Sequence, residues 1–206
     1  GSGKTTTVYG FLSKISASLI CALSVVIFYR LARERAGKSW ALGVTLLYSF
    51  GTYTFSVSSQ ALYQHGPSQL AMIAALWCLL RDNPKPHDLF LSGLALGTAL
   101  ACRHDNIFFA LPLGLYVLIH RKPQETLRLI LGACPPLLLL LFFYWYYTGK
   151  VAPPESAYQS SLFGAFHADA AAAMILSPTR GLLTLMPASL FGLWGLSLKL
   201  RDPKAR

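Results

Sequence analysis

Charge is what this chain of 206 residues has least of. Asp, Glu, Lys and Arg make up 13% of it, against 54% hydrophobic residues and a mean hydropathy of +0.47. A soluble domain of this length carries about 25% charged residues to cover its surface, so composition excludes that class. Acidic residues number only 8, and none precedes Glu34. The four cysteines, Cys21, Cys78, Cys102 and Cys134, lie inside or at the ends of apolar stretches without metal-ligand spacing, which reads as small apolar packing. The net charge of +10 comes with no basic stripe and interleaved aromatics, so no nucleic-acid partner is expected. An initiator Met and a signal-peptide pattern are also missing ahead of the first apolar stretch, which reads as a piece of a longer protein lacking its N-terminal part.

What the chain has instead is apolar runs. Seven of them cover Leu12–Leu31, Trp40–Val57, Pro67–Leu80, Leu89–Cys102, Ile107–Ile119, Leu127–Tyr147 and Leu182–Leu200. Most approach the roughly 20 residues that cross a bilayer as a helix, and the third, fourth and fifth are shorter, as tilted or broken helices are. The fold class expected is all-α: a polytopic transmembrane helical bundle of about seven membrane-embedded helices in one domain, 1–206, with a long loop at about 148–181.

The basic residues fall unequally on the two sets of span ends. Thirteen of the 18 lie on one set: Arg30, Arg33, Arg35 and Lys38, then Arg81 and Lys85, then Arg121, Lys122 and Arg128, then Lys199, Arg201, Lys204 and Arg206. The other set holds five, Lys4, Lys14, Arg103, Lys150 and Arg180. The positive-inside bias makes the first set cytoplasmic and the second outward, and the cytoplasmic charges complement anionic headgroups. A membrane lipid is thus the first partner expected.

Gly1 to Thr7 contains the G-K-[ST] end of a phosphate loop and looks like the loop of secretion ATPases. The opening glycine and the strand before the loop are missing, an apolar span follows, and Lys4 falls on the outward side. No ATP binding is expected.

The informative polar residues are outward. Ser58 to Pro67 forms a polar, aromatic turn containing Gln60, Gln64 and His65, closed by a Pro at the start of the next helix. Its competing reading is an interfacial belt. Arg103, His104, Asp105 and Asn106 stand between the fourth and fifth spans, where an ionisable group costs roughly 2.5–3.5 kcal/mol unless paired or in a wet site. Arg103 and Asp105 satisfy one another as a structural pair in one reading. In the other, Arg103 and His104 receive an anionic headgroup, because guanidinium matches phosphate oxygens in a bidentate fork. Arg180, at the end of the long loop, is a further headgroup candidate or a snorkelling anchor.

Phe50-Gly51-Thr52, the turn Ser58 to Pro67, the helix ending in Arg103, and Ser177 to Leu182 together resemble bacterial GT-C type membrane glycosyltransferases, relatives of the protein mannosyltransferases and aminoarabinose transferases. The resemblance covers most of residues 8–200. It implies sugar transfer from a polyprenyl-phosphate-linked donor to an acceptor at the outer membrane face, in a bacterial inner membrane of the cell envelope. Arg103, His104 and Arg180 would then be the phosphate-side groups, with His65 and Gln60 lining the cleft. No cofactor is implied beyond the lipid-linked substrate, and a divalent metal is left open. Such enzymes place a catalytic acidic residue in the first outward loop; this chain has none there, so the base stays unassigned among Asp105, Glu155 and Asp169. The competing class is a polytopic transporter or lipid-binding protein. Internal repeats would favour it, and none is found.

Overall fold

The protein is described by a computed structural model over residues 2–81, 84–151, 172–173, 175–177, 186 and 188–201. All regular structure among these residues is helical: α1 Ser2–Phe50, a π-helical turn Thr54–Ser58, α2 His65–Leu79, α3 Pro86–Cys102, a 3-10 turn His104–Asn106, α4 Ile107–His120, α5 Pro123–Thr148 and α6 Ala188–Arg201.

The first two apolar stretches fall in one helix broken at Gly37. Its φ of 75° and ψ of 170° belong to a region essentially reserved for glycine. The chain reverses there, and the two arms close on each other where Phe28 stacks on Tyr48 at 4.4 Å and Ser24 Oγ lies 3.2 Å from Tyr48 Oη. The second arm ends sooner than the hydrophobic run. At Thr52 the side-chain hydroxyl donates to Tyr48 O at 2.6 Å, taking a carbonyl the helix ladder would use, and Thr54–Ser58 continues as a π turn.

The remaining helices alternate in direction, and two clusters mark the ends of the bundle. At one end Trp77 Nε1 donates to Glu34 at 3.3 Å, Arg81 lies 4.5 Å over the Trp77 ring, and Arg81 Nη1 donates to Asp88 Oδ1 at 2.8 Å. Asp88 is buried, and its second oxygen accepts the Lys85 N–H at 2.8 Å, closing the start of α3. At the other end Leu62 N donates to Ser13 Oγ at 3.1 Å, His65 meets Arg103, and His104 meets Tyr144. Glu34, Arg81 and Lys85 thus share an end with the basic-rich segments, while Arg103 stands at the opposite one.

α3 and α5 run parallel and pack backbone to backbone. A Cβ on Gly93 would lie 1.9 Å from Leu129 O, one on Gly132 2.0 Å from Phe90 O, and one on Gly97 2.6 Å from Ala133 O. Glycine is required at these contacts because no side chain fits between the helices. The core continues through Ala75, Leu79, Leu89, Leu96, Ala110, Val117 and Leu129, drawn from α2 to α5.

Two helices, within Val8–Phe50 and Pro123–Thr148, are long and apolar enough to cross a membrane. α2, α3 and α4 have 15, 17 and 14 residues, roughly 21–26 Å at 1.5 Å per residue, short of a 30 Å hydrocarbon core. Their apolar surface is nonetheless wide: Phe108, Leu118 and Ile119 on α4 and Leu138, Leu139 and Phe142 on α5 are all more than half exposed. Such patches suit lipid rather than water.

Candidate functional site

A cavity of about 630 Å³ opens at the Arg103 end of the bundle. Its walls come from the second arm of α1, the π turn, the start of α2 and the α3–α4 turn, with Met72, Ile73, Leu76 and Phe109 on the apolar side.

Arg103 stands at its rim as the residue that ends α3. The backbone leaves the helix there in an extended conformation, φ −151° and ψ 122°, and the Arg103 N–H still caps Ala99 O at 3.0 Å. The short turn that follows is pinned from beneath by Asn106, whose Nδ2 donates to Ala99 O at 2.6 Å and to Ser68 Oγ at 2.7 Å. α2 and α3 therefore hold Arg103 in place together.

The guanidinium uses both terminal nitrogens. Nη2 donates to Asp105 Oδ2 at 2.8 Å, and Nη1 donates to His65 Nδ1 on the first turn of α2. Because guanidinium only donates, Nδ1 accepts and the His65 proton sits on Nε2. Desolvation, and then the Arg103 charge, hold His65 below the ordinary imidazole value, so it is neutral at pH 7. The ion pair and the cavity-facing cation are thus the same group.

The lining is mostly apolar, with one patch of hydroxyl and amide groups that forms its polar floor. Gln69 Nε2 donates to Tyr48 Oη and, at 2.6 Å, to Thr54 Oγ1, which lies 2.9 Å from Thr52 Oγ1. Tyr48, Thr52, Gln69, Ser58, Ser68 and Asn106 all line the cavity. Tyr48, Gln69, Thr54 and Thr52 satisfy one another and Asn106 bonds Ser68, which keeps these neutral polar groups stable at membrane depth.

The sequence candidates separate. Arg103 and His65 come together at the cavity. His104 turns to α5, where Nε2 lies 3.0 Å from Tyr144 Oη, and is not part of the cavity wall. Gln60 folds back on its own turn, donating to Phe55 O and Ser59 Oγ at 3.3 Å each. Arg180, Glu155 and Asp169 lie outside the described residues. Tyr48, Thr54, Ser68 and Gln69 were not singled out by sequence, although Gln69 is a lone amide in an apolar run. Among the described residues no three His, Cys, Asp or Glu side chains cluster as a metal site would.

Comparison with known proteins agrees with this architecture. The family of dolichyl-phosphate-mannose-protein mannosyltransferases matches residues 9–147, more than half of the chain and the whole of the described cavity apart from Met186. No curated protein and no solved structure gives a match. On this match the chain belongs to the dolichyl-phosphate-mannose-protein mannosyltransferase family, a family of membrane-integral glycosyltransferases using lipid-linked sugar donors.

Proposed function

We infer that the protein works in sugar transfer from a polyprenyl-phosphate-linked donor, at the outer face of a bacterial inner membrane, with the donor headgroup seated in the cavity at Arg103. The observation that carries this reading is the position of the guanidinium: a cation fixed by two helices at the mouth of a polar-floored cavity, at the end of the bundle away from the basic-rich segments. The outward assignment is supported by the uneven distribution of Lys and Arg.

Each part of the cavity suits one part of such a donor. The sugar meets the hydroxyl and amide floor of Tyr48, Thr52 and Gln69, the phosphate meets Arg103, and the isoprenoid chain leaves along the exposed apolar helices. In the transfer step the acceptor hydroxyl oxygen bonds the anomeric carbon as the carbon–oxygen bond to phosphate breaks. The lipid phosphate departs with the electron pair, and a base takes the hydroxyl proton. Negative charge grows on the departing phosphate, where a fixed donor stabilises the transition state. Neutral His65, with its proton on Nε2, is a further donor beside it. Arg180, expected from sequence beside the phosphate, lies outside the described residues, and His104 and Gln60 bond away from the cavity wall.

The test is transfer from a panel of polyprenyl-phosphate hexoses in membranes containing the protein. Arg103→Lys keeps the charge and loses the planar fork, so it should lower kcat/KM by about tenfold to a hundredfold. Transfer that is undiminished in Arg103→Lys and Arg103→Ala would overturn the assignment.

A further inference from the structure

Arg103 already holds an anion. Asp105 Oδ2 accepts from Nη2 and His65 Nδ1 accepts from Nη1, so groups of the chain itself fill the fork. The members of the ion pair differ in setting: the Arg103 side chain is 27% exposed and that of Asp105 63%. The guanidinium is the fixed partner, framed by α2 and α3. The carboxylate sits two residues on, largely in solvent, and loses little hydration by having been bound or by letting go.

We propose that Asp105 is a built-in stand-in for phosphate: its carboxylate fills the Arg103 fork and gives way to a phosphate oxygen of the donor when that binds. The proposal rests on the reading of Arg103 as the phosphate group. The exchange is chemically like for like, since carboxylate and phosphate both offer paired oxygens to a guanidinium. It leaves one charge-assisted bond where there was one, so the guanidinium is never bare. It also makes the cavity mouth neutral before binding, because Asp105 cancels Arg103. Small anions gain little by replacing a carboxylate already in place. A donor whose sugar also reaches the floor formed by Tyr48 and Gln69 gains the additional contacts that tip the exchange. Asp105 by this account lowers affinity for every phosphate ligand alike and sets a threshold that only a donor with further contacts passes.

A role in propping Arg103 predicts the reverse sign, which makes the two separable. Dissociation constants are measured for the purified protein in detergent with two probes, farnesyl phosphate and inorganic phosphate, alongside thermostability. Asp105→Asn and Asp105→Ser should each tighten farnesyl phosphate roughly twofold to fivefold, the range an exposed ion pair supplies. In an Arg103→Ala background the same changes should have no effect, because the stand-in has no fork to fill; a gain that persists there is long-range charge and overturns the proposal. Tightening with both probes supports exchange at the phosphate alone, and tightening confined to farnesyl phosphate supports exchange for a lipid headgroup. Unchanged or weaker binding in both folded Asp105 variants overturns the stand-in while leaving the Arg103 site intact. Binding that Arg103→Ala does not weaken removes the phosphate reading and the stand-in with it.

Discussion

Gly93 on α3 lies so close to Leu129 on α5 that a methyl group at Gly93 would stand 1.9 Å from the Leu129 carbonyl oxygen. Gly132 makes the reciprocal contact with Phe90, at 2.0 Å. Neither obstruction is a flexible side chain. Gly93→Ala and Gly132→Ala should each push the helices apart, with a cost of about 1–3 kcal/mol or more as overpacking in a dense core. Gly114→Ala is the matched control, because nothing lies within 4 Å of its added methyl and alanine is the better helix former. Detergent thermostability should fall for the first two and hold or rise for the third.

Gly37 makes a separate prediction about the hairpin of α1. Its φ of 75° is strained for any L side chain, although open space surrounds the Cβ position. Gly37→Ala should cost about 1–3 kcal/mol through backbone strain alone. Because the Ser24–Tyr48 and Phe28–Tyr48 contacts depend on the reversal, limited proteolysis should detect loosening near residues 36–40. Unchanged thermostability and proteolysis would contradict the turn.

At the other end, Asp88 ties α2 to α3 and lies just before the apolar run that follows it. Burial pushes its carboxyl up, but the Lys85 N–H and the Arg81 and His87 charges outweigh that and leave it below the ordinary value of 3.8. A folded-state value under the unfolded one means that this stabilisation is fully present above about pH 4 and is lost as pH falls through the lowered value. Asp88→Asn should flatten the acid limb of a stability-versus-pH curve and cost about 1–3 kcal/mol at neutral pH. An acid limb identical to wild type would assign the acid sensitivity to other groups.

The orientation is checked by single cysteines at Tyr63 and Arg33 in a background without Cys21, Cys78, Cys102 and Cys134. Tyr63 is exposed at the Arg103 end, and Arg33 stands at the opposite end near Glu34. An impermeant thiol reagent added outside intact cells should label Tyr63→Cys and spare Arg33→Cys. The opposite result inverts the topology.

Helical content was legible in the sequence because apolar runs are long and one-dimensional. The short third, fourth and fifth runs reappear as α2, α3 and α4, and the alternation of basic ends reappears as the separation of Arg81 from Arg103. The break inside Trp40–Val57 was not legible, since it depends on the Thr52 hydroxyl competing for a backbone carbonyl. The candidate site was half legible. Arg103 and His65 are recognisable as polar residues at the ends of apolar runs, but their mutual contact depends on the packing of α2 against α3. Gln69, Tyr48 and Thr54 lie 21, 15 and 6 residues apart in pairs and meet only when the α1 hairpin closes on α2. His104 and Gln60 carried the same sequence signal as Arg103 and His65, and only side-chain direction separates them.

The most direct test of the account is the affinity of the purified protein for farnesyl phosphate, measured for wild type and Arg103→Lys with thermostability recorded on the same samples. Loss of the planar fork should weaken binding about tenfold while the melting temperature stays within a few degrees, because His65 and Asp105 still face a cation. Equal affinity in the two proteins, with both folded, would contradict a lipid-phosphate site at Arg103.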